Sequence, residues 1–189
     1  LSEYEELAGE YEGLDTQRAD LERSVDTIRR TIARLNRVSR ERFRETFERV
    51  DGYFREMYPR LVGGGKAQLK LTNEDDLLDT GVEVYVQPPG KRLQTLTLLS
   101  GGETAMVAIA LIFSLFRVKP SPFCLLDEVD APLDEANGAR FNLMLSEMAS
   151  LSQFIVITHN KKTMEAVETL YGVTMPRPGV SRLVTVKLD

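Results

Sequence analysis

Ser100-Gly101-Gly102-Glu103 and, further along, Phe123-Cys124-Leu125-Leu126-Asp127-Glu128 decide how this chain is read. The first run opens a helix. Ser100 can cap it, and Glu103, three residues on, completes a capping box. Capping alone does not explain two glycines in the first turn, because each loses roughly 1 kcal/mol relative to alanine in a helix. The pair points to close approach of another group to the backbone, and bare N–H groups at a helix start favour an anion such as phosphate. The second run is a short apolar strand that ends in two adjacent carboxylates. Ligands of open α/β sheets bind at strand C-termini.

Side chains alternate along a strand, so Asp127 and Glu128 cannot share one task. The first can hold Mg²⁺, usually through water. The second can orient and polarise a water for attack on a γ-phosphate. The competing reading is a strand running into a solvated acidic turn, which Asp130 and Asp134 would extend. His159, the single histidine, follows the apolar run Phe154-Ile155-Val156-Ile157 through Thr158. It therefore falls at a second strand terminus, beside the neighbouring strand's carboxylates, either as a structural residue or as a group that senses or contacts a γ-phosphate.

Outward from these motifs, the chain alternates strand and helix. Helices are expected over 100–116, 134–148 and 161–170, and strands over 123–126, 154–158 and 183–188. Short apolar strands between helices predict an α/β fold with a sheet buried on both faces. Upstream, Lys66–Leu71 and Val82–Gln87 alternate apolar and polar residues as strands do, with a polar connection over Asn73–Thr80. Pro88-Pro89-Gly90-Lys91-Arg92 reads as a turn with a basic tip. Gly63-Gly64-Gly65-Lys66 is also a turn: no Ser or Thr follows the lysine, and a strand follows where a phosphate loop needs a helix. No Gly-x-x-x-x-Gly-Lys-Ser/Thr run occurs in the 189 residues.

The first segment has a heptad rhythm. Tyr4, Leu7, Tyr11, Leu14, Leu21, Val25, Ile28, Ile32 and Leu35 alternate spacings of four and three, broken only at Arg18. This is the seam of a coiled coil. A helix over 3–39 would be roughly 55 Å long. Phe43, Phe47, Val50 and Phe54 continue it with larger side chains onto a globular body, and Tyr58-Pro59 with the following glycines ends it. The expected division is 1–42 for the coil and 43–189 for the globular part. The arginines from Arg29 to Arg44 read first as a solvated face, and less readily as phosphate contacts. A net charge of -5 argues against a generally basic nucleic-acid surface. One cysteine, Cys124, excludes an internal disulfide and fits a reducing compartment. No apolar run in the sequence reads as a membrane span.

Taken together, Pro88 to Gln94, Leu98 to Glu103, Phe123 to Asp134 and Ile157 to Lys161 resemble the C-terminal half of an SMC (structural maintenance of chromosomes) ATPase head of bacterial type. The resemblance covers nearly the whole chain, coil included. Thr104 departs from it, standing where the bacterial pattern usually has Lys. The resemblance implies the C-terminal lobe of an ABC-type P-loop ATPase head, with ATP and Mg²⁺ as ligands. The N-terminal half of the same head would supply the Walker A phosphate loop, and a second head, in a homodimer, would close the site. It further implies a kleisin subunit as partner, DNA engaged through the full complex, no membrane, and a cytoplasmic, nucleoid-associated location. By the same resemblance Ser100, Gly101, Gly102 and Glu103 form the signature motif facing the opposite head's nucleotide. Asp127 assists Mg²⁺, Glu128 is the catalytic base, Ala131 to Asp134 form the D-loop, and His159 is the switch histidine. Two other classes stay open: an interaction module without chemistry, and the equivalent half of a DNA-repair or transporter ATPase.

Overall fold

The computed structural model describes residues 2–187. The chain divides into two compact units, Leu1–Glu45 with Asn73–Thr80, and Thr46–Thr72 with Gly81–Asp189. Helix α1 spans Ser2–Val62, 61 residues, about 92 Å at 1.5 Å per residue. In the first unit its apolar seam, from Tyr4 to Leu35, is exposed throughout. Ion pairs join neighbouring turns: Arg18, in the seam, with Asp15 at 2.8 Å, and beside it Arg23 with Asp20 at 2.7 Å and Arg30 with Asp26. The Asn73–Thr80 loop is organised by its own side chains. The Asn73 carboxamide oxygen accepts from the Asp75 and Asp76 amides, and an Asp76 oxygen accepts from the Leu78 amide.

The second unit holds the core. Val50, Phe54, Met57, Tyr58 and Leu61 line one face of α1 and are buried with Ala67, Leu69 and Val86. Helix α1 runs through Pro59 and stops at Val62, directly before the glycines expected to end it. Its end is set by glycines, whose amides at 63 and 64 donate to the Pro59 carbonyl at 2.9 and 2.8 Å. Gly65 has φ +82, and a Cβ there would lie 2.2 Å from the Gln87 carbonyl oxygen, so no other residue fits. Strands β1 (Lys66–Leu71) and β2 (Val82–Gln87) pair antiparallel, Lys66 opposite Gln87. A two-residue β3 (Gln94–Thr95) adds to β2, and a 3-10 turn over Leu96–Leu98 leads into α2 (Gly101–Val118). Periodicity did not show those last two short elements.

Helix α2 buries Met106, Val107, Ile109, Ala110 and Phe113. Phe113 stacks on Phe141 at 6.0 Å between ring centroids and meets Phe154 edge-on at 6.3 Å. Burying such a ring contributes roughly 1.5–3 kcal/mol. With a mean hydropathy of 1.5, α2 is long and apolar enough to cross a membrane by length and composition, contrary to the expectation from the sequence. Its buried stripe is that of a core helix.

Strands β4 (Phe123–Asp127) and β5 (Gln153–Ile157) pair in parallel, with α3 (Glu135–Ala149) between them in the chain. Burial on both faces was expected and is not found. Leu126 is buried, and Cys124, Phe154 and Val156 pack on the core, while Phe123, Leu125, Ile155 and Ile157 on the opposite face are 49–61% exposed. Among the described residues, helices cover one side only.

Helix α4 is a single short turn, Lys161–Glu165, and not the helix to Leu170 that was expected. Thr169–Arg177 is strand β6, hydrogen-bonded to β7 (Val180–Lys187). Residues 169–170 pair with β7 instead, and 166–168 form the turn and bend before them, with the β-branched Val167 and Thr169 having little helix preference. Leu188, expected in the last strand, lies outside the described residues.

Candidate functional site

The start of α2 is built locally. Ser100 has extended backbone (φ -69°, ψ 161°) and closes a complete capping box. Its amide and hydroxyl donate to Glu103 Oε2 at 3.0 and 2.9 Å, and the Glu103 amide points back to Ser100 Oγ. Lys91 Nζ donates to the other carboxylate oxygen, Oε1, at 2.8 Å. The Lys91 bond foremost, then the two from Ser100, holds the Glu103 carboxyl down to about 2. Lys91 is delivered by the Pro88-Pro89-Gly90 turn, where Gly90 has φ +74 and the Lys91 amide bonds the Pro88 carbonyl. Sequence reasoning left Lys91 as a loose basic tip. The Pro-Gly turn, which fixes the direction of the next residue, was the available signal.

Glu103 is therefore occupied with capping and with Lys91. Tyr58 lies near enough that burial first, and the Glu103 charge second, push its hydroxyl up to about 12. Gly101 is exposed, and a Cβ built there would meet nothing within 4 Å. One built on Gly102 would reach only the Pro132 carbonyl oxygen, at 3.4 Å. Packing among the described residues thus does not require the glycine pair.

The second part is the end of β4. Asp127 is exposed and closes the strand opposite Ile157. Glu128 follows with φ +49°, the left-handed conformation of a non-glycine residue, and its amide donates to the Ile157 carbonyl at 2.9 Å. His159 lies just past β5, with Nδ1 3.8 Å from Glu128 Oε1 and both side chains largely exposed. The structure thus brings Glu128 and His159 together at neighbouring strand ends. Asp134 caps α3, accepting from the Asn137 amide at 2.8 Å and the Asn137 side chain at 3.1 Å. Pro132, in the turn between Glu128 and Asp134, brings that turn against Gly102.

Three residues here escaped sequence reasoning. Asp130, read as part of an acidic turn, is 1% exposed. Its Oδ2 accepts from Thr158 Oγ1 at 2.7 Å and from Thr163 Oγ1 at 2.6 Å. No local pattern announces these bonds, since they join residues 28 and 33 positions apart.

Chemically, the arrangement offers open helix amides for an anion, a carboxylate for a hard cation, and a carboxylate–imidazole pair. Among the described residues no group of three or more His, Cys, Asp or Glu side chains is placed to hold a metal. Asp127 alone fits the way Mg²⁺ is held in phosphate sites, by one or two carboxylates plus substrate oxygens and water.

Residues 10–182 match the family described as RecF/RecN/SMC N terminal domain. The chromosome partition protein Smc of Myxococcus xanthus is 54% identical over 188 residues, covering 100% of this chain and 16% of that protein. The chain thus spans about one-sixth of that relative's length. A solved Smc head domain with an extended coiled coil, bound to the C-terminal domain of ScpA and derived from Pyrococcus furiosus, superposes with a TM-score of 0.78. It is 37% identical, over 94% of this chain and 44% of that one. A structure from work on ATP-driven dimerization and DNA stimulated activation of SMC ATPases superposes with a TM-score of 0.72. It is 38% identical, over 78% of this chain and 89% of that one.

Proposed function

The chain belongs to the RecF/RecN/SMC family, and from that membership we propose that it is the C-terminal half of an ATP-hydrolysing SMC head in a chromosome-partitioning protein. The matched family description is worded for an N-terminal domain. The C-terminal placement rests on the motifs themselves: the chain carries Ser100-Gly101-Gly102-Glu103 and Asp127-Glu128, and no Gly-x-x-x-x-Gly-Lys-Ser/Thr run. In this reading 1–42 is the coil segment and 43–189 the head lobe. The N-terminal half supplies the phosphate loop. It also covers the apolar sheet face of Phe123, Leu125, Ile155 and Ile157, a surface that would otherwise stay wet at roughly 25 cal/mol per Å².

One observation carries the proposal. Gly101 and Gly102 open a helix where an added Cβ would meet nothing at 101 and only the Pro132 carbonyl oxygen, at 3.4 Å, at 102, yet neither position carries a side chain. A partner outside this chain accounts for that, and the partner is the γ-phosphate of ATP held on a second, identical head. Ser100 and the two glycine amides meet that phosphate, while the carboxylate of Glu103 keeps the turn rigid. On its own head Asp127 would hold Mg²⁺, usually through water, and the ion would supply positive charge against the phosphates. Glu128 accepts the proton of the attacking water. His159, within reach of Glu128, contacts the γ-phosphate, and Asp134 anchors the D-loop that meets the opposite head.

The kleisin contact is assigned to the β6–β7 hairpin, where Tyr171, Val173, Met175 and Leu183 are exposed. The P. furiosus relative is described as bound to ScpA, which favours such a contact. DNA is engaged through the full complex, in the cytoplasm at the nucleoid.

The test is complementation. Mixed with the matching N-terminal half, this chain should hydrolyse ATP, and Glu128→Gln should stop turnover while ATP still binds. Ser100→Arg should block ATP-dependent dimerization of heads without unfolding them. Normal turnover in the Gln variant, or undisturbed dimerization in the Arg variant, would overturn the assignment. Absence of turnover in every mixture would leave the kleisin-docking module as the better reading.

A further inference from the structure

We propose that Asp130 is a positioning residue for hydrolysis: by clamping Thr158 and Thr163 to the turn after β4, it holds Glu128 and His159 in register. The inference rests on the assignment of Glu128 as the base.

Glu128 has φ +49°, and a non-glycine residue keeps such a conformation only where its surroundings over-determine it. Those surroundings can be traced. On the N-terminal side the Glu128 amide is tied to the Ile157 carbonyl. On the C-terminal side the Ala131 amide donates to the Glu128 carbonyl at 3.1 Å, and the Leu133 amide donates to the Asp130 carbonyl at 3.1 Å. Besides the backbone bond to Ile157, the Asp130 side chain ties the turn to the residue just past β5 and to α4. Its Oδ2 receives both threonine hydroxyls, in a place with almost no solvent.

Thr158 works in two directions. It donates to Asp130, and its hydroxyl accepts from the Asn160 amide at 2.9 Å. The two bonds bracket His159, which lies between Thr158 and Asn160. Thr163 is fully buried in α4 and fastens that helix to the same oxygen. One carboxylate oxygen therefore joins the residue two after the base to the residues on both sides of the imidazole. A buried network of this kind holds geometry because each member is satisfied. Displacing a catalytic group by about 1 Å can cost ~10²-fold in rate.

The experiment uses the full-length protein with its heads, measuring ATP turnover, KM for ATP, ATP-dependent head dimerization and thermal stability. Asp130→Ala should lower kcat roughly 10- to 100-fold, with KM and dimerization changed by less than about two-fold. Asp130→Asn retains an oxygen that can accept both hydroxyls, and should restore most of the turnover. Thr158→Val keeps the shape without the hydroxyl and should lower kcat in the same way, while Thr158→Ser should not. Combining Asp130→Ala with Thr158→Val should cost little more than the worse single change. Should Asp130→Ala fail to fold, the Thr158 pair decides.

The clamp is overturned if Thr158→Val turns over normally, or if kcat falls only in step with stability and dimerization. Glu128→Gln, run alongside, separates the two claims. An inactive Gln variant beside an active Thr158→Val removes the clamp and leaves the base assignment standing. An active Gln variant removes both.

Discussion

The start of α2 and the end of β4 are both exposed, charged and close in the fold, yet they are held by opposite means. The α2 turn is relaxed. Its cap has ordinary extended backbone, and its bonds reach three or four residues, with Lys91 the one contribution from farther away. The β4 end is strained at Glu128 and depends on residues from β5 and α4. Taken with the proposed roles, this difference teaches that a surface meant to receive a phosphate can be made by local rules. A base that must face its water in one direction needs the rest of the lobe to hold it.

The sharpest way to break the contrast is at the base. Glu128→Gln should lower ATP turnover of the reconstituted head by about 10²–10⁴-fold, the usual span for general base catalysis, with nucleotide binding retained. Phosphate-release kinetics beside equilibrium nucleotide binding would show it.

Stability should respond with opposite sign at the two places. Ser100→Ala removes a cap from a relaxed helix start and should cost roughly 1 kcal/mol in urea unfolding. Glu128→Gly relieves a left-handed residue and should stabilise by up to ~1 kcal/mol in the same assay, although turnover is lost. Destabilisation by both would mean that Glu128 is not strained in solution.

The smallest effect concerns pH. The Glu103 carboxyl is held down to about 2, chiefly by Lys91. A carboxylate depressed on folding lends stability at neutral pH that fades as pH falls from its unfolded value, near 4.5, through about 2. Because Lys91 is about half exposed, solvent screening limits this to roughly 1 kcal/mol or less. Lys91→Met should flatten the loss of stability between pH 4.5 and 2 and leave the α2 capping bonds in place. Thermal unfolding across that range would measure it.

Legibility followed the reach of the interactions. The bounds of β1 and β2 could be read directly because period-2 alternation is a local property. The capping box of α2 could be read because Ser100 and Glu103 are three residues apart. The end of the expected helix at 169–170 was misread because its partner strand lies elsewhere in the chain. The exposed face of β4 and β5 was misread as buried because a continuous apolar run states which residues avoid water, not what covers them.

The sequence by itself determined the long amphipathic helix, the glycine-opened turn with its cap, the apolar strand ending in two acids, and the place of the lone histidine after a second strand. Each follows from periodicity, backbone freedom or hydrogen bonds spanning a few residues. Only the tertiary structure decided that Lys91 locks Glu103 and that a buried Asp130 gathers two threonines. Those contacts join distant positions, and no short-range pattern encodes which of the many possible partners packing will bring within 3 Å.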